Sequence, residues 1–415
     1  MALWQLVLLF LLQLALILLA AQLFGGLARR FGQPKVVGEM IAGVALGPSL
    51  FGWLSPELQQ SIFISDTRSW LYFGAQLGVG LYMFLVGLEF NTRLFKQHAR
   101  SAISVSLAGM LVPFIIAALL CLWLIEQPGL FAEGISYFNA ALFLGAAIAI
   151  TAFPMLARII YERGLSGTPL GTMALAAGAI DDAAAWLVLA VVLASFGGGV
   201  SLLVTALLGG ALYALLMLTT MRNWLQPLAN RVARQQRLAI PQFIFILLLF
   251  AVSAWSMDWV GLHAVFGGFL LGIAIPRGLL AELLRQRLER VTILLLLPMF
   301  FTYSGLNTRL DVLGSAELLL ITLVILLCSI VAKFVACWAA ARLNGADNPT
   351  ALAVGALMNA RGLMELIIIN IALSYGVIEQ GLFSIMVVMA IVTTLMASPL
   401  FQLVYGRYQQ TKTAT

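Results

Sequence analysis

Six charged residues lie within long apolar stretches of this sequence, where a charge costs several kcal/mol unless it is paired or faces a water-filled cavity. Asp181 and Asp182 are adjacent in a segment rich in alanine, and Lys333 lies at the middle of a different apolar stretch. Carboxylates and amines in such places are candidates for binding and releasing protons or small cations. The six residues are Glu39, Asp181, Asp182, Lys333, Arg361 and Glu365.

The adjacent aspartates carry the strongest chemical signal. Two carboxylates in a medium of low dielectric constant do not both ionise without a cation nearby. Successive helical positions point about 100° apart, so one carboxylate can face a permanent partner while the other faces a cavity. Lys333 is the available cation, and a buried Lys–Asp pair is poised to exchange protons as its surroundings change. A pair that only fixes helix packing is the alternative, but it leaves the second carboxylate without a role.

Two apolar stretches are interrupted by residues that break helices. Pro154 follows Thr151 by three positions, and proline removes a backbone donor and clashes with the preceding turn. In the other stretch, Asn359 and Gly362 flank Arg361. Broken helices at membrane depth expose half-helix ends that bind ions in transporters. Arg361 and Glu365 are four residues apart, and we expect them to pair and to support the helix crossing.

The elements that position these residues are predicted by composition. Of 415 residues, 62% are hydrophobic and 10% are charged, which excludes an ordinary soluble protein. Apolar runs of about 20 residues recur along the chain, so the sequence predicts an all-α polytopic membrane protein with about thirteen transmembrane helices. Their centres lie near residues 13, 44, 79, 112, 149, 183, 209, 248, 267, 298, 328, 363 and 392.

Basic residues alternate with these spans. Nineteen of the 23 Lys and Arg residues fall in connections on one side, counting from the first connection. By the positive-inside rule that side is cytoplasmic, which places the N-terminus outside and the C-terminus inside. The net charge of +6 is thereby explained by topology, and no nucleic-acid partner is expected. Around residues 277–290, leucines at helical spacing predict an amphipathic helix, either on lipid headgroups or as a linker with a solvated face.

The span order predicts internal symmetry. Spans one to six and eight to thirteen form two halves joined by the seventh, and the broken span is fifth in each half. Six spans plus a linking span make the halves antiparallel, as in an inverted repeat. We therefore expect two inverted six-helix repeats with crossed discontinuous helices.

Six motifs together resemble the cation:proton antiporter-2 family, over nearly the whole chain. The motifs are Gly38–Gly43 with Leu46–Ser49, Phe84–Glu89, Thr151–Leu156, Ile180–Trp186, Phe300–Leu306 and Asn359–Leu366. The resemblance implies exchange of a monovalent cation, Na+, K+ or Li+, for protons, with electrogenic, elevator-like alternating access. It implies a homodimer in the lipid bilayer, and we expect the bacterial inner membrane.

The resemblance also implies site roles and domains. Asp182 is expected to bind the cation and the proton alternately, Asp181 to pair with Lys333, and Thr151 and Asn359 to lie at the helix crossing. Residues 1–99 and 223–310 are expected to form a dimerisation domain. A core domain is expected from residues 100–197 and 311–415, the latter with a short tail, and residues 198–222 form a linker helix.

Other functions are less well supported by the residues. A sodium-coupled symporter of an organic anion would share the inverted-repeat plan, but polar side chains for a larger solute are sparse in the core spans. A cation channel is a third hypothesis. An aspartyl intramembrane protease would place its aspartates on different helices, so we expect no enzymatic activity and no cofactor beyond the transported ions.

Overall fold

The computed structural model describes residues 2–33, 35–89, 99–163, 165, 168–197, 199–260, 264–308, 310 and 314–413, and these residues form helices joined by short turns. Among them no β-strand is formed; a single antiparallel bridge joins Phe131 and Ile378. The expectation of an all-α membrane fold is confirmed at this level. Within these described ranges, eight helical stretches are long and apolar enough to cross a membrane.

The first half of the chain contributes ten helices to the described part. They are α1 (Leu3–Arg30), α2 (Lys35–Leu46), α3 (Phe51–Leu54), α4 (Pro56–Ile62), α5 (Ser65–Glu89), α6 (Ala99–Leu124), α7 (Tyr137–Ala149), α8 (Phe153–Glu162), α9 (Pro169–Gly197) and α10 (Gly199–Leu216).

The second half begins with a π-helical turn, Met217–Met221, that continues α10 into α11. The later helices are α11 (Arg222–Gln235), α12 (Ile240–Trp259), α13 (Ala264–Ala274), α14 (Leu279–Val291), α15 (Leu297–Leu306), α16 (Ala316–Leu343), α17 (Asn348–Met358), α18 (Leu363–Ser374) and α19 (Gln380–Thr413).

Close helix packing depends on glycine pairs, because apolar helices in lipid gain little by burying more apolar surface and associate where backbones can approach. Helices α2 and α15 meet at Gly43 and Gly305. A Cβ on Gly305 would lie 2.0 Å from the carbonyl oxygen of Gly43, and a Cβ on Gly43 would lie 2.1 Å from the carbonyl oxygen of Phe301. Neither glycine can be replaced without moving a helix backbone.

The helices associate in two groups. Helices α1, α2, α5, α12, α13 and α15 pack on one another, and α6 to α9 pack with α16 to α19. The predicted amphipathic segment is α14, which runs through a π turn, Thr292–Leu296, into α15. Its leucine row, Leu280, Leu284 and Leu288, is buried, and α14 packs on α5 and α11. The leucine row therefore belongs to the protein core.

Both predicted interruptions are present. Helix α7 ends at Ala149 and α8 begins at Phe153, while α17 ends at Met358 and α18 begins at Leu363. Pro154 is the second residue of α8, where a missing N–H costs no helical hydrogen bond. Gly362, just before α18, has φ of 153°, a conformation that favours glycine.

Candidate functional site

The two breaks cross each other inside the second group of helices. The backbone N–H of Ala152 donates to the carbonyl of Ala360 at 2.9 Å, which joins one break directly to the other. Thr151 Oγ1 lies 2.8 Å from the carbonyl oxygen of Met358, the last residue of α17. Backbone groups that lose their helical hydrogen bonds at one break thus find some of their hydrogen-bond partners at the other break. Buried backbone outside a helix requires such partners.

Asp181 lies on α9 beside this crossing and is fully buried. Its Oδ2 accepts from Lys333 Nζ on α16 at 2.7 Å, and its Oδ1 accepts from Ser106 Oγ on α6 at 2.5 Å. Thr151 Oγ1 lies 2.8 Å from Oδ2. The Lys333 side chain is equally inaccessible. The predicted ion pair between Asp181 and Lys333 is therefore present, and hydroxyl groups satisfy the rest of the carboxylate.

Thr151 links the ion pair to the crossing. Its hydroxyl lies 2.8 Å from two acceptors, Asp181 Oδ2 and the Met358 carbonyl, but a threonine has only one proton to donate. When the hydroxyl donates to one of these acceptors, the other acceptor receives no hydrogen bond from Thr151. The position can also accept a hydrogen bond or coordinate a cation through its free lone pairs.

The C-terminal end of α7 is held by two cationic side chains. Arg361 Nη1 donates to the carbonyl of Ala147 at 2.8 Å and Nη2 donates to the carbonyl of Ile148 at 2.5 Å. Lys333 Nζ donates to the carbonyl of Ala149. The last carbonyls of a helix lack partners within the helix and carry its partial negative charge. Positive side chains therefore stabilise a helix end that would otherwise be costly in the membrane.

Arg361 and Glu365 form the second buried pair. Arg361 Nη1 lies 3.6 Å from Glu365 Oε1, with both side chains 1% exposed, which confirms the predicted pairing. The distance is too long for a hydrogen bond, and neither carboxylate oxygen of Glu365 has a hydrogen-bond partner in the described part of the chain. Asn359 Nδ2 donates to the carbonyl of Gly355 at 3.0 Å, and its buried Oδ1 also has no partner there.

Two predicted site residues fall where only the backbone is described. Asp182 lies in α9 and Pro154 in α8, but their side chains lie outside the described residues. Glu39, another of the six charged residues within apolar stretches, is 3% exposed and pairs with Lys35 at 3.2 Å. It lies on α2, outside the crossing.

Sequence reasoning missed Ser106 and Thr394. Thr394 Oγ1 on α19 donates to the carbonyl of Arg361 at 2.8 Å. Both are neutral hydroxyls in apolar helices, and nothing in the sequence separates them from the other serines and threonines. The role of the carbonyls at the end of α7 could not be predicted either, because every residue has a backbone carbonyl and the sequence does not mark the ones that bind a side chain.

The donor set suits a hard monovalent cation. Among the described residues no group of three or more His, Cys, Asp or Glu side chains could hold a metal ion, so a transition-metal centre has no support there. Carboxylates, hydroxyls and carbonyl oxygens, which are the groups gathered here, are the ligands that alkali and alkaline-earth cations prefer. Competition between such a cation and a proton for a carboxylate is the chemistry that this arrangement permits.

Comparison with known proteins gives consistent results. Residues 14–404 match the family described as sodium/hydrogen exchanger, transmembrane. The chain is 38% identical over 395 residues to the Na(+)/H(+) antiporter NhaS4 of Synechocystis, covering 93% of this chain and 94% of that one. It is 27% identical to the Na(+)/H(+)-K(+) antiporter GerN of Bacillus cereus, covering 96% of each.

Two further matches extend the comparison. The K(+)/H(+) antiporter 1 of Saccharomyces cerevisiae is 31% identical over 96% of this chain, but the match spans only 46% of the yeast protein. The solved structure of the sodium proton antiporter MjNhaP1 from Methanocaldococcus jannaschii superposes with a TM-score of 0.62 over 94% of this chain and 95% of that one, at 16% identity. That likeness concerns the fold.

Proposed function

Because the chain belongs to the sodium/hydrogen exchanger family, we propose that it exchanges a monovalent cation, Na+ or K+, for protons across a membrane. The observation that carries the proposal is the charge balance at the crossing. Lys333 and Asp181 form one ion pair, and Arg361 lies 3.6 Å from Glu365, which is its negative partner when ionised. Asp182 follows Asp181 in the same apolar stretch, and no basic residue is assigned to it as a partner. Its charge is therefore left for a mobile ion to neutralise.

Asp182 is the proposed binding residue for both ions. A cation and a proton cannot occupy one carboxylate together, so loading either expels the other. Asp181 stays in its pair with Lys333 until a cation arrives and weakens that pair. Thr151 supplies a hydroxyl oxygen at the same place, and Pro154 and Asn359 keep the helices broken there. These roles agree with the enclosed hydrogen bonds of Asp181 and with the crossing geometry.

The proposed motion is an elevator in which the core domain slides on a dimerisation domain. The two groups of packed helices support this division, with residues 100–197 and 311–415 as core, 1–99 and 223–310 as dimerisation domain, and 198–222 as linker. We further propose thirteen spans in two inverted repeats, with the N-terminus outside and the C-terminus in the cytoplasm. The working unit is a homodimer, placed in a bacterial inner membrane.

The exchange is proposed to be electrogenic. If more positive charge enters with protons than leaves with the cation, the membrane potential drives export, with about 2.3 kcal/mol per elementary charge per 100 mV. An electroneutral exchanger would gain nothing from voltage. Solid-supported membrane currents at matched ion gradients distinguish the two, because only the electrogenic protein produces a current whose sign follows the potential.

The assignment is tested in everted membrane vesicles with a dye that reports the proton gradient. Asp182→Asn is expected to abolish the dequenching that follows addition of Na+ or K+. The amide has no negative charge to bind the cation, and it does not take up and release a proton. Asp66→Asn, at the exposed start of α5, is the matched control and should exchange like the wild type. Full dequenching in the Asp182 variant would refute the role of that carboxylate.

Proteoliposomes separate the remaining hypotheses. An exchanger moves cations only when protons move the other way, whereas a channel conducts without a proton gradient. A sodium-coupled symporter needs an organic anion on the same side. The same preparation, tested with Na+, K+ and Li+ at several pH values, also defines the preferred cation, which the relatives leave open because their names include both Na(+) and K(+).

A further inference from the structure

Unpartnered polar atoms concentrate in one short segment of the core. Of the seven buried side-chain nitrogen and oxygen atoms without a hydrogen bond in the described part of the chain, four belong to residues 359–365. They are Asn359 Oδ1, Arg361 Nε and both carboxylate oxygens of Glu365. Buried polar atoms in native proteins are nearly always hydrogen-bonded, so a group of exceptions calls for a ligand or water that binds there.

The two buried carboxylates of the crossing differ sharply. Asp181 has an ammonium group at 2.7 Å and hydroxyls at 2.5 and 2.8 Å. Glu365 is as deeply buried, yet in the described part of the chain its carboxylate oxygens have no hydrogen-bond partner, and the Arg361 guanidinium lies 3.6 Å away. Hydrogen bonds and short ion pairs stabilise the ionised form of a carboxylate. Glu365 lacks them, so among these two it is the carboxylate that accepts a proton at the smaller cost.

Few other charges act on Glu365. Helices α7 and α19 make the main contacts with α18, and α15 is joined to it by the hydrogen bond between Asn370 and Ser304. Residues 137–149, 297–306 and 380–406 contain no Asp, Glu, Lys, Arg or His. Arg361 faces Glu365 from the break itself. Lys333 reaches the same region from α16 by donating to the last carbonyl of α7. The ionisation of Glu365 is therefore controlled by Arg361, by Lys333 at longer range, and by any cation that enters the crossing.

We propose that Glu365 is a second proton-binding site of the core, which releases its proton when a monovalent cation binds at the crossing. The inference rests on the proposed exchange of a cation for protons, and it adds a proton beyond the one displaced from Asp182. The bond that breaks is the O–H bond of the protonated Glu365 carboxyl, and the proton leaves to water. No bond to the cation is required of Glu365.

The coupling is electrostatic. Arg361 and Lys333 are fixed on neighbouring carbonyls of α7, so a cation that binds beside them adds positive charge to a region that already holds two positive groups. A nearby positive charge favours the ionised form of a carboxyl group. Glu365, whose oxygens accept no hydrogen bond among the described residues, responds by losing its proton and becomes the negative partner of Arg361.

The test counts protons released per bound cation. Purified protein in detergent is titrated with NaCl or KCl, at constant ionic strength, in calorimetry buffers of different ionisation enthalpy, and the dependence on buffer gives the proton number. Glu365→Gln is expected to release fewer protons than the wild type, by up to one per chain, and still to bind the cation. Glu365→Asp, which keeps a titratable carboxyl, should restore part of the release.

Glu39→Gln is the matched control, because Glu39 is 3% exposed and follows Lys35 by four residues, as Glu365 follows Arg361. It should release as many protons as the wild type. Equal release from Glu365→Gln and the wild type, or an equal loss from Glu39→Gln, would overturn the proposal. Absence of proton release from the wild type would instead refute the proposed exchange itself, and with it this site.

Infrared difference spectra of the wild type and of Glu365→Gln provide a second measurement. Protein labelled with 13C-glutamate should lose a glutamate-specific carboxylic acid band when the cation is added, since Glu365 passes from the protonated to the ionised form. Unlabelled Asp182 absorbs at a different position and does not interfere. A spectrum in which only aspartate bands change would overturn the assignment to Glu365.

Discussion

Replacement of Lys333 by methionine should destabilise the protein in a way that depends on pH. Lys333 supplies the ammonium group at 2.7 Å from Asp181 Oδ2, and both side chains are inaccessible to solvent. Methionine has a similar shape but no charge, so Asp181 would be left buried without a counter-ion. Removing one partner of a buried ion pair costs about 3–5 kcal/mol. The carboxylate can relieve part of that cost only by taking up a proton.

The pH dependence follows from that proton. An aspartate in the unfolded chain titrates near pH 3.9, so keeping Asp181 protonated costs about 1.4 kcal/mol per pH unit above this value, or about 4 kcal/mol at pH 7 and about 1.5 kcal/mol at pH 5. The folded variant then holds one more proton than the unfolded chain, and its stability falls as pH rises. The Ala149 carbonyl, which also loses its donor, adds about 1–3 kcal/mol at both pH values.

The assay is unfolding in mixed micelles by increasing SDS, followed by tryptophan fluorescence. Lys333→Met should lose about 2.7 kcal/mol more, relative to the wild type, at pH 7 than at pH 5. The double variant Asp181→Asn, Lys333→Met contains no buried charge at this position, so it should be more stable than the single variant at pH 7 and should lose the extra pH dependence. A single variant that is equally destabilised at both pH values, or a double variant no more stable at pH 7, would refute the reasoning.

Three further changes have defined outcomes. Ser106→Ala removes the donor to Asp181 Oδ1 and should lower the free energy of unfolding by about 1–3 kcal/mol. Ser106→Thr keeps a hydroxyl and should retain most of the wild-type stability in the same SDS titration. Gly305→Ala forces a Cβ to within 2.0 Å of the Gly43 carbonyl and should lower the temperature of aggregation in detergent; an unchanged temperature would contradict the close approach. Ser304→Ala breaks the 3.1 Å hydrogen bond from Asn370 Nδ2 that joins α15 to α18. Under an elevator mechanism this bond opens during transport, so the variant should raise the turnover rate at saturating cation by about two- to tenfold. A slower rate would argue against such an opening.

Much of the site could be predicted because charge in an apolar stretch is conspicuous. Lys333 was expected to meet one of the two aspartates, since each charge is costly alone. The family resemblance implied that the partner is Asp181, and that pair is present. The interruptions near Pro154 and Gly362 were equally visible, because proline and glycine have strong backbone preferences. Sequence therefore located the crossing and both of its ion pairs without knowledge of the fold.

Other features depend on tertiary contacts that no sequence pattern encodes. The spacing of Arg361 and Glu365 predicted that the two residues pair, but α18 begins only at Leu363, so Arg361 lies before the helix. Its guanidinium group donates to the carbonyls of α7, and Glu365 remains 3.6 Å away. The burial of Glu39 was also missed, since it results from the packing of α2 between α1 and α15. Distance along the chain does not predict such contacts.

The two proposals together determine the charge that the core carries in each state. With a cation on Asp182 and Glu365 ionised, the charges of Lys333, Arg361, Asp181, Asp182, Glu365 and the ion sum to zero. With Asp182 and Glu365 both protonated the core carries one positive charge, so the proton-loaded step moves charge inward and gains about 2.3 kcal/mol from 100 mV. In Glu365→Gln both loaded states carry the same charge. That variant should therefore still exchange cations for protons in liposomes but produce no steady current on solid-supported membranes, and a current equal to that of the wild type would place the additional charge elsewhere in the core.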